Sequence, residues 1–249
     1  MKQKKPILQL LVGVEGSGHH MILAFLEHFF KTQKAIRNGE WYLYLFNRWD
    51  ALKVEQRATP LVLNSQEELK PEIARIIKRY STKVDFFYSS ASFPYGVKRD
   101  TLRRPDIIDM VEVLAEHIDI RPLVIHRDPI SCTYSAVRRE FTDNLLLQAR
   151  YVEDNLIYIK QQLEATEISY RTLNYEDFVS DPSKYEEGLK KWWGLNDESF
   201  KQGLKQIRPG TTKSKIPSQT LSQLEEFFSP MRRRQWDNFL TQKDIADIK

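Results

Sequence analysis

Residues 13–20, with the sequence Gly-Val-Glu-Gly-Ser-Gly-His-His, decide the fold because they join a buried strand to a helix. They overlap the end of the apolar run Ile7–Val14, which is typical of a strand covered on both faces. They precede residues 18–34, whose apolar side chains recur at helical spacing. In a glycine-rich turn of this kind, backbone N–H groups converge on an anion at the helix N-terminus. The stretch therefore predicts an anion-binding first loop.

Gly13 and Gly18 have the spacing of the P-loop pattern G-x-x-x-x-G-K-[ST]. His19 stands at the position of the phosphate-binding lysine, and His20 at that of the hydroxyl that binds Mg²⁺. The glycines of an anion-binding loop are therefore present, while the lysine and the hydroxyl residue that bind ATP and Mg²⁺ are absent. Neighbouring helical residues point ~100° apart, and neither histidine has a partner at metal-ligand spacing, so no metal site is predicted. A glycine-rich turn without a ligand is the alternative interpretation.

Strands and helices alternate along the rest of the chain, which indicates an α/β fold. Parallel strands require crossover helices, so the pattern predicts a three-layer α/β/α domain with a central parallel sheet, spanning residues 1–249 as a single domain. Ligands bind such sheets beyond the carboxyl ends of the strands. Further strands are predicted at residues 84–88, 123–126 and 168–173, with a long loop at 89–105. Helices are predicted at residues 65–80, 106–117, from 129 onward, 141–163, 182–193 and 218–240.

The composition is that of an ordinary globular protein, with 41% hydrophobic and 29% charged residues among 249. The net charge of +4 suits small anionic ligands and does not predict nucleic-acid binding. A single cysteine, Cys132, excludes an internal disulfide. The N-terminal apolar run is short, is interrupted by Gln9 and enters a glycine-rich turn, so it does not predict a signal peptide. No stretch approaches the ~20 apolar residues of a membrane span, and we expect a cytoplasmic protein.

A second strand–helix junction contains Arg127-Asp128-Pro129 and, about two helical turns later, Ser135. Asp128 is a suitable N-cap and Pro129 a suitable first helical residue. An arginine and a serine that converge near a helix N-terminus can hold a phosphate. Alone, an arginine at a strand end is often only a cap or an ion-pair partner.

Together the two loops resemble those of the sulfotransferases that use 3′-phosphoadenosine 5′-phosphosulfate (PAPS). That family has a P-loop-NTPase-like fold, and Tyr175-Glu176-Asp177 resembles its Y-E-D segment near the nucleotide. The resemblance covers residues 7–182 and implies PAPS as cofactor, without a metal, and 3′,5′-adenosine bisphosphate as product. It implies that the first loop binds the 5′-phosphosulfate and that Arg127 and Ser135 bind the 3′-phosphate. The implied cofactor residues of the first loop are Gly16, Ser17, Gly18, His19 and His20.

The sequence departs from the family at the cationic position of the first loop, where Gly16 stands in place of lysine or arginine. We expect His19 or His20 to supply the missing donor to the leaving oxygen, a role that an imidazolium can fill. Relatives close the 3′-phosphate site with a basic loop near the C-terminus, which makes Lys213 and Lys215 candidates; a solvated linker is the alternative.

The resemblance also suggests a catalytic base, because some carbohydrate sulfotransferases carry a glutamate after the first helix. Glu40 follows that helix here and is the leading candidate, with His126 and Glu15 in reserve. The aromatic run 41–49 could stack on a flat acceptor or belong to the core. Residues 89–96 occupy the position of acceptor-side residues in relatives.

The sequence thus predicts transfer of a sulfuryl group from PAPS to a hydroxyl or amine of a small-molecule or carbohydrate acceptor. A P-loop-type nucleotide kinase is the alternative enzyme, although its lysine and Ser/Thr after Gly18 are absent. A catalytically inactive nucleotide-binding protein is the third possibility, and the missing loop lysine is its best support.

Overall fold

A computed structural model describes residues 5–37, 79, 83–93, 107–208, 213–241 and 243–248. Within these ranges the strands form a five-stranded parallel sheet in the order β2-β3-β1-β4-β5. The strands are β1 (Ile7–Val14), β2 (Ala35–Arg37), β3 (Phe86–Phe93), β4 (Asp119–His126) and β5 (Arg171–Asn174). The predicted α/β class with a central parallel sheet is confirmed.

Helices cover both faces of this sheet, as the predicted three layers require. On one face, Val12 and Val124 belong to a core shared with Ile130, Val152 and Trp236 of the covering helices. On the other face, the alternate residues of the same strands form a separate core with a second set of helices. The helices are α1 (His19–Phe25), α2 (Glu27–Thr32), α3 (Ile107–Leu114), α4 (Pro129–Arg138), α5 (Leu145–Ala165), α6 (Tyr175–Ser180), α7 (Glu186–Trp193), α8 (Asp197–Leu204), α9 (Ser218–Phe227) and α10 (Pro230–Thr241).

The order of the strands places a topological switch point between β1 and β4. From β1 the chain passes to β2 and β3 on one side, and then crosses to β4 and β5 on the other. Connections that leave in opposite directions open a crevice at the carboxyl ends of the two central strands. The first loop and the turn that contains Arg127 both begin at this crevice.

Several predicted boundaries were wrong. The helix expected at 18–34 is divided at Leu26 into α1 and α2, and the helix expected at 218–240 is divided before Pro230, which lacks a backbone N–H. The strand expected at 84–88 runs on to Phe93, so the first part of the expected loop is strand, because β1 supplies partners for residues of weak strand propensity. Strand β4 begins earlier than expected, at Asp119, and β5 begins only at Arg171.

Gln9, which interrupts the apolar run of β1, is fully buried and ties the sheet to α7. Its Nε2 donates a hydrogen bond of 2.6 Å to the carbonyl oxygen of Trp193. The indole N–H of Trp193 in turn donates to the carbonyl of Arg121 in β4, at 3.0 Å. A polar residue is therefore tolerated in the middle of a buried strand because the NH₂ group of its amide has a fixed partner.

Several sequence predictions lie outside the described residues: Glu40, the aromatic run 41–49, all of the 65–80 helix except Arg79, and residues 94–105. Within the described part of the chain, no helix is both long enough and apolar enough to span a bilayer.

We predict that Trp193→Ala lowers the free energy of unfolding by about 3–5 kcal/mol, because it empties a fully buried site and removes the hydrogen bond to Arg121. Urea denaturation measures the change. Leu146→Ala is the control, since Leu146 is 49% exposed and its loss is expected to stay within about 0.5 kcal/mol. Equal effects of the two substitutions would contradict this view of the core.

Candidate active site

Three turns meet at the carboxyl edge of the sheet. The first loop follows β1, Arg127 and Asp128 follow β4, and Tyr175 opens α6 directly after β5. Because β1 pairs with β4 and β4 pairs with β5, the ends of these strands are neighbours. The structure therefore brings together all the sequence segments that carry the resemblance.

The first loop has a conformation that depends on its glycines. Gly16 has a φ of 86° and Gly18 a φ of 116°, a region that other residues rarely adopt. A Cβ atom on Gly16 would lie 2.6 Å from the carbonyl oxygen of Cys132, and one on Gly18 would lie 2.6 Å from the ring of Tyr175. In the described part of the chain, the backbone N–H groups of Gly16 and Gly18 have no hydrogen-bond partner. Such unpaired N–H groups are what an anion cradle requires.

The guanidinium of Arg127 lies between the three turns. Its Nη1 donates to the carbonyl oxygen of Gly16 at 2.5 Å, and its carbon lies 4.5 Å from the centre of the Tyr175 ring. Its Nε lies 3.9 Å from Oε1 of Glu176, and the side chain is only 5% exposed. The residue expected to bind the 3′-phosphate is thus largely buried, and it joins the first loop to α6.

The second junction has the local structure that the sequence predicts. The carboxylate of Asp128 caps α4 by accepting hydrogen bonds of 2.9 Å from both the N–H and the hydroxyl of Ser131, and Pro129 is the first helical residue. The other oxygen of Asp128 lies 3.2 Å from Nζ of Lys213. Lys213 therefore reaches the site from the C-terminal part of the chain, whereas Lys215 is exposed two residues further on.

Of the two histidines of the first loop, His19 is the one that lies against it. Its Nδ1 is 3.2 Å from the hydroxyl of Ser17, and its ring folds back towards Gly13. His20 is exposed on α1. His19 is therefore better placed than His20 to act on a ligand of the loop.

Two acidic groups near Arg127 have shifted pKa values, the half-exposed carboxyl of Glu176 and the buried thiol of Cys132. Burial raises the pKa of Glu176, although the backbone N–H of Asp128, which donates to its Oε1 at 3.3 Å, and the charge of Arg127 oppose the shift. Burial also raises the pKa of the Cys132 thiol far above its usual range, so this cysteine is an unreactive core residue.

His126, a reserve candidate for the base, ends β4. Burial lowers the pKa of its imidazole, and the carboxylates of Asp237, Asp128, Asp244 and Asp177 oppose that shift. Its neutral form is therefore favoured in the folded protein, as a base requires.

Sequence reasoning missed Arg139, which follows the end of α4. Its Nη2 lies 3.2 Å from Oε2 of Glu15, the buried carboxylate of the first loop. Nothing in the local sequence marks this arginine, because the contact joins residues 124 positions apart. Within the described ranges, no group of three or more potential ligand residues is arranged to hold a metal ion.

No protein-family model matches this sequence, and no curated protein matches it. Among solved structures, the chain is similar to the sulfotransferase domain of the Synechococcus PCC 7002 olefin synthase, with 14% identity, 92% of this chain and 96% of that chain covered, and a TM-score of 0.44. It is also similar to a structure of the PezAT chromosomal toxin–antitoxin system of Streptococcus pneumoniae, with 12% identity, 97% and 90% covered, and a TM-score of 0.35. Likenesses this remote do not bear on the function of the chain.

We predict that Arg127→Ala destabilises the protein by about 1.5–3 kcal/mol, because it removes a charged donor from the partly buried Gly16 carbonyl. Thermal denaturation measures the loss. Arg150→Ala removes the same charge from a side chain that is 71% exposed, and it should change the stability little. If Arg127→Ala is as stable as Arg150→Ala, then Arg127 does not hold the turns together.

We predict that His126 makes the fold sensitive to mild acid. Because burial lowers its folded pKa below the ordinary value of 6.5, its contribution to stability is present above about pH 6.5 and is lost as the pH falls towards the folded pKa. The melting temperature of His126→Asn should therefore fall less between pH 7.5 and pH 5 than that of the unaltered protein. His20→Asn, at an exposed position, is the control and should follow the unaltered protein. Equal falls for His126→Asn and the unaltered protein would exclude this role for His126.

Proposed function

We propose that this protein transfers a sulfuryl group from PAPS to a hydroxyl or amine acceptor. The observation that carries the proposal is the convergence of three separate segments on Arg127, at the switch point of the sheet. The glycine-rich loop is bound through the Gly16 carbonyl, and the Y-E-D segment is bound through the ring of Tyr175. These are the segments on which the sequence resemblance depends, and they become neighbours only in the folded chain.

In this proposal the first loop holds the 5′-phosphosulfate. The N–H groups of Gly16 and Gly18 supply hydrogen-bond donors, and Ser17 and His19 line the same turn. Transfer forms a bond from the acceptor to sulfur and breaks the bond from sulfur to the bridging oxygen, where negative charge accumulates. Fixed donors at that oxygen stabilise the transition state, and we assign this role to His19.

The 3′-phosphate is assigned to the second junction. Ser135 lies on α4, and Lys213 is held beside the start of that helix by its ion pair with Asp128. A phosphate at this position would compete with Asp128 for the ammonium group of Lys213, with Lys215 nearby in sequence. Arg127 contributes mainly by fixing the first loop, because its side chain is 5% exposed.

Glu40 remains the proposed catalytic base, and His126 is the second candidate because burial favours its neutral form. Glu15 is a weaker candidate, since its carboxylate is already bound by Arg139. The acceptor is proposed by chemical class alone, as a small molecule or carbohydrate that presents a hydroxyl or amine.

We predict that 3′,5′-adenosine bisphosphate binds in the presence of EDTA, and more tightly than adenosine 5′-monophosphate, because the site offers contacts for a second phosphate. Isothermal titration calorimetry measures both affinities, and labelled PAPS with a panel of acceptors measures transfer. ATP binding that requires Mg²⁺ would instead support a kinase. Binding of the bisphosphate without transfer to any acceptor would support an inactive nucleotide-binding protein.

The two histidines provide a matched pair of variants for the same assay. His19→Asn should lower the transfer rate by about 10²–10³-fold, the usual loss on removing one donor to a leaving oxyanion. His20→Asn should have a much smaller effect, because His20 is exposed on α1. Equal activity of His19→Asn and the unaltered protein would remove His19 from the mechanism.

A further inference from the structure

The first loop contains a carboxylate at a place where an anionic ligand would meet it. Glu15 lies next to Gly16, and its side chain is only 9% exposed. A buried negative charge beside an anion site opposes binding unless a cation compensates it. Arg139 is such a cation, and its Nη2 lies 3.2 Å from Oε2 of Glu15.

The guanidinium of Arg139 is held against the last turn of α4, beside Ser135. Its Nε donates to the carbonyl oxygen of Ser135 at 3.3 Å, and its carbon lies 4.8 Å from the centre of the Phe141 ring. These contacts restrict the side chain and reduce the entropy lost when it binds a ligand. The chain turns sharply immediately afterwards, with a φ of 58° at Glu140.

Arg139 also retains the capacity to bind an anion. Its side chain is 38% exposed, in contrast to the 5% of Arg127. Among the described residues, its Nη1 group has no hydrogen-bond partner. A planar guanidinium with one edge on a carboxylate can present its other donors to a phosphate or sulfate oxygen.

We propose that Arg139 supplies the cation that the first loop lacks in sequence, and that it contacts the anionic group bound by that loop. Glu15 orients the guanidinium and neutralises it until the anion binds. This inference rests on the proposed function for the identity of the nucleotide, but the anion contact itself does not require PAPS.

The alternative is a purely structural ion pair that shapes the loop. The two interpretations differ in the effect of Glu15. If the pair is structural, Glu15→Gln and Arg139→Gln both disturb the loop and both weaken anion binding. If Arg139 binds the anion, Arg139→Gln weakens binding, whereas Glu15→Gln removes a negative charge and releases the guanidinium, so that binding becomes tighter.

The test is a double-mutant cycle on the full chain, with 3′,5′-adenosine bisphosphate and inorganic pyrophosphate as probes and the dissociation constant as readout. Arg139→Gln should weaken both probes by about 10-fold or more, the loss expected for a charged hydrogen bond. In the Glu15→Gln background, the same substitution should weaken binding at least as much. Arg139→Lys should recover only part of the loss. Lysine keeps the positive charge, but it lacks the planar guanidinium that can bind an anion through two parallel hydrogen bonds.

Arg138→Gln is the matched control, since it removes the same charge from the neighbouring exposed residue of α4. Melting temperatures of all variants show which of them remain folded.

The inference is overturned if Arg139→Gln binds pyrophosphate as tightly as Arg138→Gln does, or if Glu15→Gln weakens binding as much as Arg139→Gln. If the unaltered protein binds 3′,5′-adenosine bisphosphate no more tightly than pyrophosphate, the proposed function fails. The pyrophosphate affinities of the variants then still decide the role of Arg139. If it binds neither probe, both are overturned.

Discussion

The guanidinium of Arg127 fixes the relative positions of the turns at the carboxyl edge of the sheet. A buried charge is unfavourable unless it is paired and hydrogen-bonded, and here the Gly16 carbonyl, the face of Tyr175 and the carboxylate of Glu176 supply the partners. Because these groups belong to the turns after β1 and β5, the charge can be buried only when all of these turns are in place. The close approach of Gly16 to Cys132 and of Gly18 to Tyr175 follows from the same arrangement and excludes larger residues there.

Three cations around this edge each have a carboxylate beside them. Arg127 is near Glu176, Arg139 is paired with Glu15, and Lys213 is paired with Asp128. These pairs differ in burial, and this difference separates their roles. Arg127 is almost enclosed and acts as a structural tie, whereas Arg139 and Lys213 keep 38% and 43% of their side chains exposed and can exchange a carboxylate for a phosphate. An anionic ligand would then replace one set of charge pairs with another, which limits the net cost of desolvation.

The parts of the fold that the sequence predicted correctly are those encoded by local patterns. The apolar run correctly predicted both ends of β1, and Asp128-Pro129 correctly predicted the start of α4. Burial on both faces of a strand and capping of a helix depend on a few consecutive residues, so the sequence alone reveals them. The extension of β3 to Phe93 was not predictable in this way. Its serines have little strand propensity of their own, and pairing with β1 determines their conformation.

The same division holds for the candidate site. By itself, the sequence determined that the loop after β1 needs glycines, that it lacks the usual lysine and that an arginine follows β4, since these are properties of residue types at fixed spacing. Tertiary structure alone decided that Arg127 is buried against Gly16 and Tyr175, that His19 rather than His20 lies on the first loop, and that Arg139 reaches Glu15. Strand order brings these residues together, and strand order depends on how all the crossovers pack, which no local stretch of sequence contains.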